Sequence, residues 1–108
     1  MHISPGDILL ARFPFTDLSS DKRRPVLVLS DKAHHEDIIV CAITSRQQAG
    51  PFDIAVSDVT GSGLKVASWI QIDKIATLSR MVIAGRLGAL PDPFIQKHKA
   101  ILRQLFDI

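Results

Sequence analysis

Tyrosine and asparagine are absent from the 108 residues, cysteine occurs once, and a single glutamate stands beside ten aspartates. Each shortage removes a class of chemistry. With Cys41 alone, an internal disulfide framework and a multi-cysteine metal site are both excluded. Without tyrosine or asparagine, stacking on a nucleobase would fall to Phe, Trp69, His or Arg, and base reading by asparagine is not available. Long apolar runs are also missing: the longest, Ile38 to Ile43, has six residues, against roughly 18 for a bilayer span. No membrane-spanning segment is expected. The segment from Met1 to Asp7 has no positive region followed by an apolar stretch, so no secretory signal is expected and a cytoplasmic location is.

What remains is 46% hydrophobic and 22% charged, the composition of one soluble domain, residues 1–108, with an ordinary core. At that length a two-domain enzyme with a cofactor-binding half is not expected. The net charge of +2 and pI near 9.0 permit a polyanionic partner without requiring one.

Apolar and β-branched runs, separated by Gly, Pro, Asp and Ser clusters, predict strands at 8–13, 26–29, 38–43, 52–56, 66–72 and 81–84. The runs at 26–29 and 38–43 do not alternate, as expected of strands buried on both faces. The run at 52–56 does, with Phe52, Ile54 and Val56 on one side. Short strands at this spacing imply a mainly β, small barrel. The one convincing helix comes last: Asp92 is a candidate cap, Pro93 suits the first helical position, and Phe94, Ile95, His98, Ile101, Leu102, Leu105 and Phe106 form an apolar stripe. That stripe is expected to pack on the barrel or on a second subunit, with His98 a packed histidine.

Several places could carry chemistry. Lys22-Arg23-Arg24-Pro25 opens a buried strand, and Pro25 holds Arg24 extended, so one guanidinium sits at a fixed place on the sheet. Its rigid fork of donors suits a phosphate; a solvated basic loop is the plainer alternative. At Ile43-Thr44-Ser45-Arg46, two hydroxyls and a guanidinium follow a buried strand, fit either to bind phosphate oxygens or to close a turn. Gln47 and Gln48 follow and could meet base edges. Asp73, at the predicted end of the strand bearing Trp69, is either a proton acceptor or a turn residue. Trp69 either stacks a base or belongs to the core. Adjacent residues in His34-His35-Glu36-Asp37 diverge, which argues against a metal site. Gly61-Ser62-Gly63 lacks the phosphate-loop pattern, no Gly-x-Ser-x-Gly elbow occurs, and no bound cofactor is implied.

Taken together, Gly6-Asp7-Ile8-Leu9-Leu10 leading to Phe13-Pro14, Arg23-Arg24-Pro25-Val26-Leu27-Val28-Leu29-Ser30, Ala42-Ile43-Thr44-Ser45 and Ile72-Asp73-Lys74-Ile75-Ala76-Thr77-Leu78 closely resemble the MazF/PemK toxins. These are the endoribonucleases of type II toxin–antitoxin modules. The resemblance implies an SH3-like, partly open β-barrel with a C-terminal helix, a homodimer, and metal-independent, sequence-specific cleavage of single-stranded RNA leaving 2′,3′-cyclic phosphate and 5′-OH ends. It also implies inhibition by an antitoxin protein whose disordered tail covers the RNA groove. Residue by residue it makes Arg24 and Thr44 the catalytic pair with Asp73 in support, and Lys22, Arg23, Ser45, Arg46 and Gln47 RNA-binding. The chain departs from the family pattern at Ala76, where an arginine is common, and in the short loop from Phe15 to Lys22. A non-catalytic RNA- or protein-binding module, or a gyrase poison of the CcdB type on the same fold, are the alternatives.

Overall fold

A computed structural model describes residues 2–12, 22–56 and 61–108. Six strands, β1 (Asp7–Ala11), β2 (Arg24–Ser30), β3 (Asp37–Thr44), β4 (Asp53–Val56), β5 (Ser68–Ser79) and β6 (Ile83–Ala89), precede one helix, α1 (Asp92–Phe106). They form a single antiparallel sheet in the order β4-β5-β3-β2-β1-β6. β4 and β6 lie at its two edges and do not pair with each other, so the barrel expected from the sequence is present but not fully closed.

The two runs without alternation are the inner strands β2 and β3, and their apolar faces explain the pattern. Val26, Val28, Val40 and Ala42 join a cluster with Leu9, Ala11, Ile38 and Leu78. Leu27, Cys41 and Ile43 turn the other way, to Ile54, Ile70 and Ile72. Helix α1 covers this second cluster with Phe94, Ile101, Leu102 and Leu105, as its stripe predicted, while Phe106 remains 55% exposed. His98 is fully packed; burial, with Lys99 adding to it, lowers its pKa below the usual imidazole value. The helix is entered differently from the expectation. Pro91 is the N-cap, with no side-chain capping bond, and Asp92 is the first helical residue. Its carboxylate there opposes the positive end of the helix dipole.

The largest departure is in β5. A polar Asp73-Lys74 pair after Ile72 reads as a strand end, yet the strand continues to Ser79. Its register against β3 jumps, with Cys41 facing Ile75 but the next residue, Ala42, facing Gln71. Residues 72–74 are therefore extra on the β5 side and form a bulge, the device by which a strand bends without ending. The last predicted strand also shifts. Arg80–Val82 is a 3-10 turn, in which Ser79 Oγ accepts from Met81 N–H at 3.2 Å, and β6 starts only at Ile83. The first strand ends at Ala11; Phe13, residues 14–21 and residues 57–60 lie outside the described residues.

The segment after that second gap lies against β6, where Ala89 N–H donates to Gly61 O at 3.0 Å. Gly63, at φ +76°, sits so close to the Leu87 backbone that a Cβ would overlap it, so only glycine serves there. This contact brings Leu64 and Lys65 beside the start of β2.

Candidate functional site

Arg24 and Thr44 begin and end two neighbouring strands, and the ladder fixes their relation. Val26 is paired with Ala42; two residues further toward the end of the sheet, the antiparallel register sets Arg24 opposite Thr44 on the same face. Two adjoining cavities, about 420 and 300 Å³, meet at this pair, and both residues line both. The larger is polar, with Arg46, Gln48, Gln71 and Lys74 around it. The smaller is more apolar, floored by Leu64, Val66 and Leu87, with Arg23 and Lys65 also contributing. Lys22 and Ser45 belong to both, and among the described residues no carboxylate lines either cavity. A groove of this sign and shape attracts an extended polyanion.

Local chemistry sharpens the pair's role. Arg24 Nε is buried and has no hydrogen-bond partner among the described residues. A buried donor left unmade costs about 1–3 kcal/mol, a cost an incoming anion would remove. Thr44 Oγ1 accepts from Arg46 N–H at 3.1 Å, which fixes the oxygen and leaves the hydroxyl proton to be donated. Gln48 Nε2 donates to Arg46 O at 3.3 Å and steadies the same turn.

Not every residue singled out from the sequence reaches the groove. Asp73 is exposed on the β5 bulge and Gln47 on the turn after β3, and neither lines a cavity. The Asp73 charge reaches the other face, where burial first and this carboxylate second push the Cys41 thiol well above its ordinary range. That removes Cys41 as a nucleophile. Trp69 is half-buried opposite Thr44 and lines neither cavity. His34 and His35 are exposed, with their rings 3.7 Å apart, edge to face. No group of three or more His, Cys, Asp or Glu among the described residues is placed to hold a metal ion. Nor does any described helix have the length and apolarity to cross a membrane.

Residues 4–106 match the family model of PemK-like, MazF-like toxins of type II toxin–antitoxin systems. The chain belongs to this family. No curated protein matches it. Among solved structures, an endoribonuclease in complex with its cognate antitoxin from a mycobacterial species superposes with TM-score 0.80 at 16% identity, covering 99% of this chain and 97% of that one. The Mycobacterium tuberculosis toxin MazF-mt6 gives 0.75 at 23% identity, over 94% and 97%. MazF from Deinococcus radiodurans gives 0.76 at 23%, over 98% and 97%. At these identities the likeness establishes the MazF fold of this toxin.

Sequence reasoning missed Gln71, Lys74, Leu64 and Lys65. Gln71 carried a signal, being the polar residue in an otherwise apolar run from Trp69 to Ile72. Lys74 carried none, because on a regular strand it would face away from Gln71.

Proposed function

We propose that this toxin is an endoribonuclease that cleaves single-stranded RNA across the Arg24–Thr44 ridge. The observation that carries this reading is the Arg24 guanidinium, its Nε buried without a partner among the described residues, beside an oriented hydroxyl at the meeting of two cavities that no described carboxylate lines. In the reaction the ribose 2′-oxygen forms a bond to the adjacent phosphorus and the bond from phosphorus to the 5′-oxygen breaks. The 2′-OH proton passes to solvent and the 5′-oxygen gains one, leaving a 2′,3′-cyclic phosphate and a 5′-OH.

The substrate brings its own nucleophile, so the protein's work is alignment and charge stabilisation. Arg24 faces the non-bridging oxygens, whose charge grows in the phosphorane, and Thr44 donates to one of them. A guanidinium, which stays protonated in proteins, is a poor proton acceptor, and no described carboxylate lines the groove, so electrostatic stabilisation is the main contribution. Asp73, outside the groove, takes no part in the step. Lys22, Arg23, Ser45 and Arg46 hold the flanking phosphates, and Lys65 and Lys74 extend that track. Gln47 contacts RNA only where the strand leaves the groove.

The relatives solved with antitoxins support a protein inhibitor for this toxin as well. An acidic, apolar tail suits a basic groove with an apolar floor, and the protein acts as a homodimer. The first experiment incubates the purified protein with mixed-sequence single-stranded RNA in EDTA and maps the ends. Cuts leaving cyclic phosphate and 5′-OH, lost in Arg24→Ala, are the expected result. Intact RNA with a folded protein would overturn it in favour of a binding module.

A further inference from the structure

Gln71 is a buried polar side chain that the fold leaves without an internal task. It is 8% exposed, and its carboxamide makes no hydrogen bond to any described residue. Its amide oxygen and nitrogen are not among the buried side-chain atoms left without a partner; they open instead to the larger, polar cavity that Gln71 lines. Its place there follows from the sheet. Ala42 lies opposite Gln71 on β3, and Ala42 in turn lies opposite Val26, so Gln71 shares a face with Arg24 and Thr44, one row further in. Ala42 is small, and its missing bulk leaves the row open above it. On the far side Asp53 is paired with Gln71, but Asp53 Oδ2 is occupied by Gly50 N–H at 2.8 Å.

The bulge completes the arrangement. Positions 71 and 74 on a regular strand would point to opposite faces, yet Gln71 and Lys74 line the same cavity because residues 72–74 are extra in the ladder. A carboxamide at the floor and an ammonium at the wall thus meet in a space of about 420 Å³, within the size range of small-ligand sites.

We propose that Gln71 determines sequence specificity by hydrogen-bonding the edge of one base next to the scissile phosphate. A carboxamide offers a donor and an acceptor side by side, the pattern that reads a base edge bidentately, and single-stranded RNA presents such edges freely. The phosphates are left to the cations around it. This rests on the nuclease reading and adds the residue that selects where the chain is cut.

The test is a cleavage profile over a randomised single-stranded RNA pool for wild type, Gln71→Leu and Gln71→Met, with folding checked by thermal melting. The expected result is that base preference flattens by about 10-fold or more at one position, while preferences elsewhere and the cyclic-phosphate ends are kept. An abasic nucleotide at that position should slow wild type to the rate of Gln71→Leu and leave the variant unaffected, which a purely structural role would not produce. Two variants are used so that poor folding of one leaves the other informative. If both fold and keep the wild-type profile at every position, or lose rate equally at all sites, Gln71 is not the reader although the nuclease reading stands. If wild type cuts nothing in the pool, the nuclease reading falls and this inference falls with it.

Discussion

Asp7 and Arg24 begin two strands that pair with each other, β1 and β2, and so stand at opposite ends of the same antiparallel ladder. Asp7 is 6% exposed and fully engaged: Oδ2 accepts from Ser4 N–H at 2.9 Å and Oδ1 lies 3.3 Å from Arg86 Nη2. Arg24 buries its Nε with no partner among the described residues. One end of the ladder uses a charge to hold the chain. The other keeps a charge unspent, at a groove, beside a hydroxyl held by its own turn. A satisfied buried charge speaks of folding and an unsatisfied one of a ligand, and this contrast locates the site better than net charge does.

Substitutions at the two ends should therefore separate activity from stability. Arg24→Ala is expected to lower the RNA cleavage rate by about 10³-fold, the scale of losing a charge-stabilising donor, with a melting temperature no lower than wild type. Thr44→Val should lower kcat about 10²-fold with KM little changed, because its hydrogen bond strengthens as charge develops; Thr44→Ser should keep most of the activity. Asp7→Asn should do the reverse, losing about 1–2 kcal/mol in denaturant melts, since half of Arg86 is already in water, while cleavage per folded molecule is unchanged. Lys74→Ala should weaken RNA binding at every sequence and reduce the steepness of log affinity against log salt by about 0.7, one single-strand phosphate contact.

The smallest effect belongs to the far side of the molecule, under α1. His98 is buried, and its pKa is lowered, so the folded state binds the proton less readily than the unfolded chain. Its packing contributes in full above the ordinary imidazole pKa and is lost as pH falls through the lower folded value. Melts at pH 7.5 and pH 5 should show wild type losing more stability on acidification than His98→Leu. Equal losses would remove His98 from the acid response.

Most of the fold was legible because it rests on local patterns. Unalternating runs became the inner strands, and the final apolar stripe became a helix covering one face. Arg24 and Thr44 were legible for the same reason, as polar residues at the ends of apolar strands with Pro25 holding one of them extended. What stayed hidden depends on pairing between strands. The bulge at 72–74 is a mismatch between β5 and β3, invisible in either strand alone, and the Asp73-Lys74 pair that forms it reads locally as a turn. Hence Asp73 was expected at the site and stands outside it, while Gln71 and Lys74 went unnoticed and line it. Lys65 is brought close only by the contact of residues 61–63 with β6, a juxtaposition of segments distant in sequence.

The measurement that bears most directly on the proposed cleavage at Arg24 uses an oligonucleotide containing one mapped cut site. A single 2′-deoxynucleotide replaces the ribose whose 2′-oxygen would attack. Under the proposed chemistry the nucleophile belongs to the substrate, so the substituted strand should bind wild type as tightly as the ribose version and remain uncut, with binding weakened by Arg24→Ala. Cleavage of the deoxy-substituted strand at the same bond would contradict this chemistry and require a nucleophile from elsewhere.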